Sequence, residues 1–168
     1  PGLVDPNFDH TVTYLCAHGE DGAMGIIVNR PSTLTLADLL EHLELEAADP
    51  ALARQPVLNG GPVQPERGFV LHRPAGQWEA SLDIALTTSK DILAAIGRGE
   101  GPADALVALG YAGWDAGQLE AELSDNAWLS GPAAGHILFD TPSDARWAAA
   151  AQWLGVDVRH LSGDAGHA

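Results

Sequence analysis

The stretch Thr11–Asn29, which reads TVTYLCAHGEDGAMGIIVN, decides the fold. Thr11–Ala17 is rich in β-branched and aromatic residues, which are typical of strands. Glu20-Asp21-Gly22 is typical of a turn, and Ala23–Asn29 is a second apolar segment that Pro31 ends. The stretch therefore predicts two neighbouring strands joined as a hairpin.

Helix-start signals follow the hairpin at four places. At the first, Thr35 is followed by Asp38 in the arrangement of a capping box, and leucines recur behind it at helical spacing. The same reasoning predicts a helix running to about Ile96 and a last helix ending at Leu154 before a glycine. The four predicted helices are capped at Thr35, Thr88, Asp115 and Thr141.

Further strands are predicted between these helices, and all of them are short. They are Phe69–His72, Ser81–Leu86, Ala105–Tyr111 and Ile137–Asp140. Strands and helices alternate irregularly, without the repeated strand–helix–strand units of a parallel sheet. Because no internal repeat or long linker divides the chain, we predict a single α+β domain over residues 1–168.

The charge balance limits the partners that this protein can have. Its 168 residues include 8 Lys and Arg against 23 Asp and Glu, which gives a formal net charge of -15. Such a surface repels nucleic acids and anionic membranes, because binding to them relies on protein cations. We therefore expect no direct nucleic-acid binding and no membrane binding. Cationic or neutral ligands and basic partner proteins remain open.

The sequence carries no motif of a common cofactor or metal site. GxGxxG loops, Walker loops, GxSxG elbows and HExxH helices are all absent. The single Cys16 excludes an internal disulfide and a multi-cysteine zinc site, and its place within a strand predicts a buried, inert thiol. No segment resembles a membrane span or a signal peptide. We expect no cofactor, no metal and a cytoplasmic location.

A group of turn residues forms the first candidate binding site. Asn29-Arg30-Pro31 ends the second strand, and Gly60-Gly61-Pro62 forms a turn further on. Together with His72, these residues are expected to line one rim of the sheet for a ligand or a partner. Arg30 could receive an acidic group of the ligand or pair with a carboxylate of the chain. Gly60-Gly61 could approach an anion or serve only as a tight turn.

Histidines at strand ends form a second candidate site. His18 and His72 each follow a predicted strand body, and Asp21 or Asp140 could join them. Such a set could act as an acid–base pair or hold a divalent metal. The histidines could equally have only structural hydrogen bonds.

Two secondary candidates beside His18 lie at the start of the third predicted helix. Trp114 precedes Asp115 and fits the position of a hydrophobic staple, although it could instead line a pocket. Gln118 lies three residues after Asp115, where its side chain can take part in capping the helix.

Several blocks of the sequence, in a fixed order, carry a resemblance to a known family. They are Asp5–Phe8, His18, Gly22–Pro31, Gly60–Val63, Arg67–His72, Leu109–Trp114, Gly117–Glu122, Asn126 with Trp128-Leu129, Leu138–Asp140, Arg146-Trp147, Leu154-Gly155 and Gly166–Ala168. Together they resemble the AlgH/YqgE family of bacterial proteins over essentially the whole chain. The resemblance implies an α+β fold with a bifurcated, mostly antiparallel sheet, part of it closed as a small barrel, flanked by helices.

The resemblance implies no known activity. The family is named after a proposed transcriptional regulator of exopolysaccharide synthesis. Its members usually carry an apolar strand ending in Met-Pro just before the position of Pro1, and this first strand is absent from the sequence.

Three functions are considered. The first is a cytosolic, non-catalytic binding or regulatory module that acts through a protein or a small ligand. The alternative is a small-molecule enzyme of hydrolase type that uses His18, His72 and a carboxylate, which requires these side chains to meet. Direct transcriptional regulation ranks last, because no helix of this acidic chain carries clustered Lys or Arg.

Overall fold

The computed structural model describes residues 10–74 and 84–156 and has an α+β fold, as predicted. Seven strands form one mixed sheet, and six helices flank it in this part of the chain. The strands are β1 Thr13–Gly19, β2 Gly22–Ile27, β3 Pro31–Thr35, β4 Pro56–Asn59, β5 Val63–His72, β6 Ala85–Thr87 and β7 Ala105–Asp115. The helices are α1 Leu36–His42, α2 Pro50–Ala53, α3 Lys90–Gly97, α4 Gln118–Ser124, α5 Gly135–Phe139 and α6 Arg146–Trp153.

The predicted hairpin is formed by β1 and β2. These strands pair antiparallel along their length, with a register shift at Cys16 that marks a bulge. Pro31 does not end the strand pairing of this region, because it is itself the first residue of β3 and pairs with Leu58 of β4. A proline can occupy the first position of a strand. Because Pro31 was interpreted as a strand end, β3 was not predicted from the sequence.

The central strand β7 has three partners. Up to Leu109 it lies between β5, which is antiparallel to it, and β4, which is parallel. Residues Ala112–Asp115 pair with β2 instead. Five of the six strand pairings are antiparallel. The sheet thus divides along β7, which confirms the prediction of a bifurcated, mostly antiparallel sheet.

Two glycines allow the sheet to divide. Gly60 donates its N–H to Leu109 O at 2.8 Å and accepts from Ile27 N at 2.9 Å, so it connects β7 to β2 where β4 ends. A Cβ atom on Gly60 would lie 2.4 Å from a backbone oxygen of β7, and one on Gly61 would lie 2.1 Å from the carbonyl carbon of Tyr111. The turn after β4 and the backbone of β7 therefore lie too close together for any residue with a side chain at positions 60 and 61.

The sheet does not close into a barrel within the described residues. In this part of the chain, β1, β3 and β6 each pair with one other strand only. A closed barrel requires every strand to have two partners. The small barrel-like part implied by the family resemblance is therefore corrected to an open, divided sheet.

The first predicted helix cap is confirmed at α1. Thr35 Oγ1 accepts from Asp38 N at 3.2 Å, and Asp38 Oδ2 accepts from Thr35 N at 2.9 Å. This reciprocal pair satisfies two backbone donors that the helix itself leaves open. The next helix, α3, follows Ser89 rather than the predicted Thr88. None of the described helices is long and apolar enough to span a membrane.

Two predictions near the ends of the described segments need correction. The predicted strand Ile137–Asp140 is wrong, because residues 137–139 belong to helix α5 and Asp140 is its C-cap. An apolar run this short does not distinguish a strand from a buried turn of helix. Helix α6 begins at Arg146 rather than just after Thr141, whose hydroxyl donates to His136 O at 2.9 Å.

Of the predicted strand Ser81–Leu86, residues 85 and 86 belong to β6, and residues 81–83 lie outside the described part.

The apolar core lies on both faces of the sheet. Phe69 and Leu71 belong to a cluster that includes buried residues of α5. Val70, between them, belongs to a second cluster with buried leucines and isoleucines of α1 and α3. This alternation follows from the two-residue period of a strand.

Arg146 is a buried cation that ties α6 to the sheet. Its side chain is only 6% exposed. Its Nε donates to Ile137 O and Thr141 O, and its Nη1 donates to Val28 O directly after β2. Because these acceptors are backbone carbonyls and the group is buried, desolvation lowers the pKa of the guanidinium.

Candidate functional site

The predicted rim is only partly assembled. Arg30 O accepts from Asn59 N at 2.8 Å, so the segment after β2 and the turn after β4 lie together, as predicted. Asn29 has a structural role instead: its side-chain oxygen accepts from Val12 N at 2.8 Å, and its amide donates to His10 O at 2.9 Å. This side chain therefore fixes the segment that leads into β1.

The Gly60-Gly61 turn does not present converging backbone donors to an anion. The N–H of Gly60 is bonded to Leu109 O, and that of Gly61 donates to Asn59 Oδ1 at 3.3 Å. An anion cradle needs successive N–H groups that the protein itself does not occupy. The two glycines serve the chain crossing described above, and the neighbouring Pro62 is exposed.

His72 lies away from the rest of the predicted rim. It is 1% exposed, and its ring nitrogens contact Arg73 O at 3.0 Å and Thr87 Oγ1 at 2.9 Å. In the β5–β7 pairing, His72 lies opposite Ala105, whereas the start of β5 lies opposite Tyr111. Six residues of strand separate these positions by about 20 Å. The inclusion of His72 in the rim is therefore wrong.

His18 and His72 also lie at opposite ends of β7. His18 pairs with Ala23, which pairs with Trp114, while His72 pairs with Ala105. Nine residues of strand correspond to about 30 Å. The two histidines therefore do not form the predicted acid–base pair.

The secondary candidates do come together, at the end of the hairpin next to α4. The β1–β2–β7 register brings His18 and Trp114 to the same end of the sheet. The N-cap of α4 is Gly117 rather than the predicted Asp115, so Trp114 does not directly precede the cap as a hydrophobic staple would. Trp114 is nevertheless buried and packs with Leu119 of α4. Gln118 Oε1 accepts from Asp115 N at 2.9 Å, so its side chain holds the start of the helix. These contacts fix α4 against the end of β7.

Helix α4 adds the carboxylate of Glu120 to the residues at this end of the sheet. Its Oε1 is in hydrogen-bond contact with Nε2 of His18, and the two side chains are 50% and 37% exposed. The hydrogen bond from His18 lowers the pKa of Glu120. Glu120 is absent from the predicted site residues, although it lies within the family-like block Gly117–Glu122.

An open depression surrounds this contact. Its volume is about 520 Å³, and it is called the acidic depression below. It is lined by His18, Gly19, Glu20, Gly117 and Glu120. Asp115 lies opposite Gly22, so the acidic residues of the hairpin turn and of the β7 end lie at the same end of the sheet. Among the lining residues, His18 alone can carry a positive charge. No three His, Cys, Asp or Glu side chains of residues 10–74 and 84–156 are grouped to hold a metal ion.

Cys16 lies on the strand that leads to the depression, and we expect it to react slowly. Burial raises its pKa to about 11. Roughly one thiol in a thousand is then ionised at pH 8, compared with about a quarter for an ordinary cysteine. Alkylation by iodoacetamide at pH 8 should be about a hundredfold slower in the native protein than in guanidinium chloride. Equal rates would contradict the prediction of a buried, inert thiol.

Asp140, the carboxylate considered for the histidine site, is part of an ion-pair network instead. Arg73 Nη1 donates to Asp104 Oδ2 at 2.8 Å, and its Nη2 donates to Asp140 Oδ2 at 2.9 Å. The hydrogen bond from Arg73 lowers the pKa of Asp140. A carboxyl group of this kind stabilises the fold above its unfolded-state pKa, and the stabilisation is lost as the pH falls through the folded-state pKa.

We therefore expect Asp140→Asn to lower the melting temperature at pH 7 by a small amount. Thermal unfolding followed from pH 7 to pH 2 should show the difference from wild type disappearing below about pH 4, where carboxyl groups gain protons. Asp144→Asn, an exposed carboxylate elsewhere on the surface, is the control and should show no such trend. A difference that stays constant down to pH 2 would contradict the role given to the Arg73 pair.

These observations define an α+β protein with a divided sheet and an acidic depression at one end. The chain matches the AlgH-like family over residues 1–159. It is 60% identical over 172 residues to a UPF0301 protein of Thioalkalivibrio sulfidiphilus, with 100% of this chain and 92% of that protein covered. The chain therefore belongs to the AlgH-like family, as its sequence blocks predicted.

Solved structures agree with this assignment. The solution structure of the AlgH protein from Pseudomonas aeruginosa is 53% identical, with a TM-score of 0.77 over 100% of this chain and 91% of that one. A crystal structure of a Corynebacterium diphtheriae protein is 15% identical, with a TM-score of 0.69 over 91% of this chain and 82% of that one, and shares the fold. The family is uncharacterised. The family-like blocks Asp5–Phe8 and Gly166–Ala168 lie outside the described residues.

Proposed function

We propose that this protein is a non-catalytic binding module whose acidic depression accepts a cationic group of a partner. The observation that carries the proposal is the contact between His18 and Glu120 on the wall of a concave surface that also contains Glu20. Carboxylates in such a place bind ammonium or guanidinium groups through charge-assisted hydrogen bonds. The cation can belong to a Lys or Arg side chain of a protein or to a free polyamine.

The charge of the surrounding elements supports a cationic partner. Strands β1, β2 and β7 and helix α4 contain no Lys or Arg. Asp21 and Asp115 add negative charge beside the depression, and the whole chain carries -15. Such a field attracts cations and slows the approach of polyanions, so direct DNA recognition is not part of the proposal.

The lining residues favour binding over covalent chemistry. None of the five is a serine, threonine or cysteine, so the depression offers no hydroxyl or thiol nucleophile. A binding module needs only carboxylates held in place, and the contacts of Gln118 and Trp114 hold α4, which carries Glu120.

Isothermal titration calorimetry with two probes tests the proposal. One probe is a tri-arginine peptide with blocked ends, and the other is spermidine, so the two sources of the cation are distinguished. The double variant Glu20→Gln, Glu120→Gln should bind the preferred probe about tenfold more weakly than wild type, since it loses two carboxylate partners.

A matched variant separates the site from the general charge of the protein. Glu41→Gln, Glu46→Gln removes the same number of charges from exposed positions around α1. It should keep the wild-type affinity within about twofold, because long-range attraction is screened by salt. Equal weakening in both double variants would mean that the probes bind only to the overall charge, and the proposed site would then be wrong.

A second function is favoured by the same contact. A carboxylate that holds an imidazole in one orientation is the arrangement of a general base, and water would be its nucleophile here. This second function keeps His18 and a carboxylate from the hydrolase hypothesis but does not use His72. Ester, amide and phosphoester substrates tested against wild type and His18→Gln decide the matter. A turnover that His18→Gln abolishes supports the enzyme, and an equal background rate in both proteins excludes it.

A further inference from the structure

A histidine lies in the acidic depression beside one of its two carboxylates. His18 is the only histidine, lysine or arginine within β1, β2, β7 and α4. Its Nε2 already contacts Glu120, which is one of the two carboxylates lining the depression. When the imidazole carries a proton, it supplies a positive charge at the position where a bound cation needs a carboxylate partner.

We propose that protonation of His18 regulates the acidic depression by closing it to cationic partners. The proposal rests on the proposed function, since it concerns the same site. A neutral imidazole leaves the charge of Glu120 available to an incoming ammonium or guanidinium group. A protonated imidazole neutralises that carboxylate and repels the incoming cation, so the protein binds its partner near neutral pH and releases it in mild acid.

The charged residues that the described elements around His18 contribute all have the same sign. The turn between β1 and β2 contributes Glu20 and Asp21, the end of β7 contributes Asp115, and α4 contributes Glu120. The other acidic residue of α4, Glu122, accepts from Trp128 Nε1 at 3.4 Å instead. Within this set, His18 is the group that becomes positively charged when it gains a proton.

The test measures the affinity for the tri-arginine peptide and for spermidine at pH 7.5 and at pH 5.5. In wild type, the affinity for the preferred probe should fall about tenfold at the lower pH, because a single proton that competes with the cation weakens binding by up to a factor of ten per pH unit. His18→Gln keeps a hydrogen-bond donor but cannot gain charge, so its affinity should change by less than about twofold. His42→Gln, at an exposed position in α1, should behave like wild type.

Proton release gives an independent readout of the same competition. By reciprocity, a cation that is excluded by a protonated His18 must displace a proton when it binds at pH 6. Calorimetry in two buffers of different ionisation enthalpy should detect this release in wild type and in His42→Gln but not in His18→Gln.

The outcomes separate this regulation from the proposed function. If wild type binds at the depression with equal affinity at both pH values, or if His18→Gln retains the full pH dependence, the regulation is wrong and the binding site stands. If the Glu20→Gln, Glu120→Gln variant binds as well as wild type at both pH values, the proposed site and its regulation are both wrong.

Discussion

Gly61→Ala is expected to lower the free energy of unfolding by about 2–4 kcal/mol. The new methyl group would lie 2.1 Å from the Tyr111 carbonyl carbon and 2.2 Å from its oxygen, and backbone atoms cannot rotate away as a side chain can. Overpacking of this kind costs about 1–3 kcal/mol. The φ of Gly61 is +151°, which residues with a side chain rarely adopt, and this adds about 1 kcal/mol.

Urea unfolding of Gly61→Ala and Gly19→Ala checks this expectation. A methyl group added at Gly19 would have no other atom within 4 Å, and the φ of this residue is not positive, so its variant should stay within about 0.5 kcal/mol of wild type. If both variants were equally stable, the close crossing that divides the sheet would not exist in the protein.

Arg146→Ala is expected to cost about 3 kcal/mol or more. The guanidinium satisfies the carbonyl oxygens of Val28, Ile137 and Thr141, and each buried carbonyl that loses its donor costs about 1–3 kcal/mol. Water that enters the vacated space can recover part of this loss. Arg146→Lys should recover only part of the stability, since an ammonium group cannot reproduce the fixed fork of donors.

Arg98→Ala is the control for this prediction. Arg98 is 58% exposed and pairs with Glu100, which is 67% exposed. Its removal should change stability by about 0–1 kcal/mol, as is usual for surface ion pairs. Urea unfolding measures both variants. Similar small losses for Arg98→Ala and Arg146→Ala would contradict the role of Arg146 as the connection between α6 and the sheet.

Local signals were enough to predict the hairpin and the start of α1. Both depend on residues that are close in the sequence: the turn Glu20-Asp21-Gly22 between two apolar segments, and the pair Thr35 and Asp38. Short segments without such signals were missed or misassigned. β3 begins with a proline, and α5 is a five-residue apolar helix that resembles a strand in the sequence.

The candidate sites depended on contacts that no local pattern contains. The register of β5 against β7 takes His72 away from the rim, and this register is set by a strand that lies beyond β6 and α3 in the chain. His18 contacts Glu120 across a separation of 102 residues. Sequence reasoning could therefore name His18, Trp114 and Gln118 individually, but it could not show that His18 contacts Glu120 of the helix that Trp114 and Gln118 hold.

The central claim, that the acidic depression binds a cationic group, is tested most directly by a nuclear magnetic resonance titration. The backbone amide signals of uniformly ¹⁵N-labelled protein are followed at pH 7.5 as the tri-arginine peptide or spermidine is added. We predict saturable shifts concentrated at Gly19, Glu20, Gly117 and Glu120, and their loss in Glu20→Gln, Glu120→Gln. Shifts spread equally over the acidic residues of α1 and α4, or unchanged shifts in that variant, would contradict the claim.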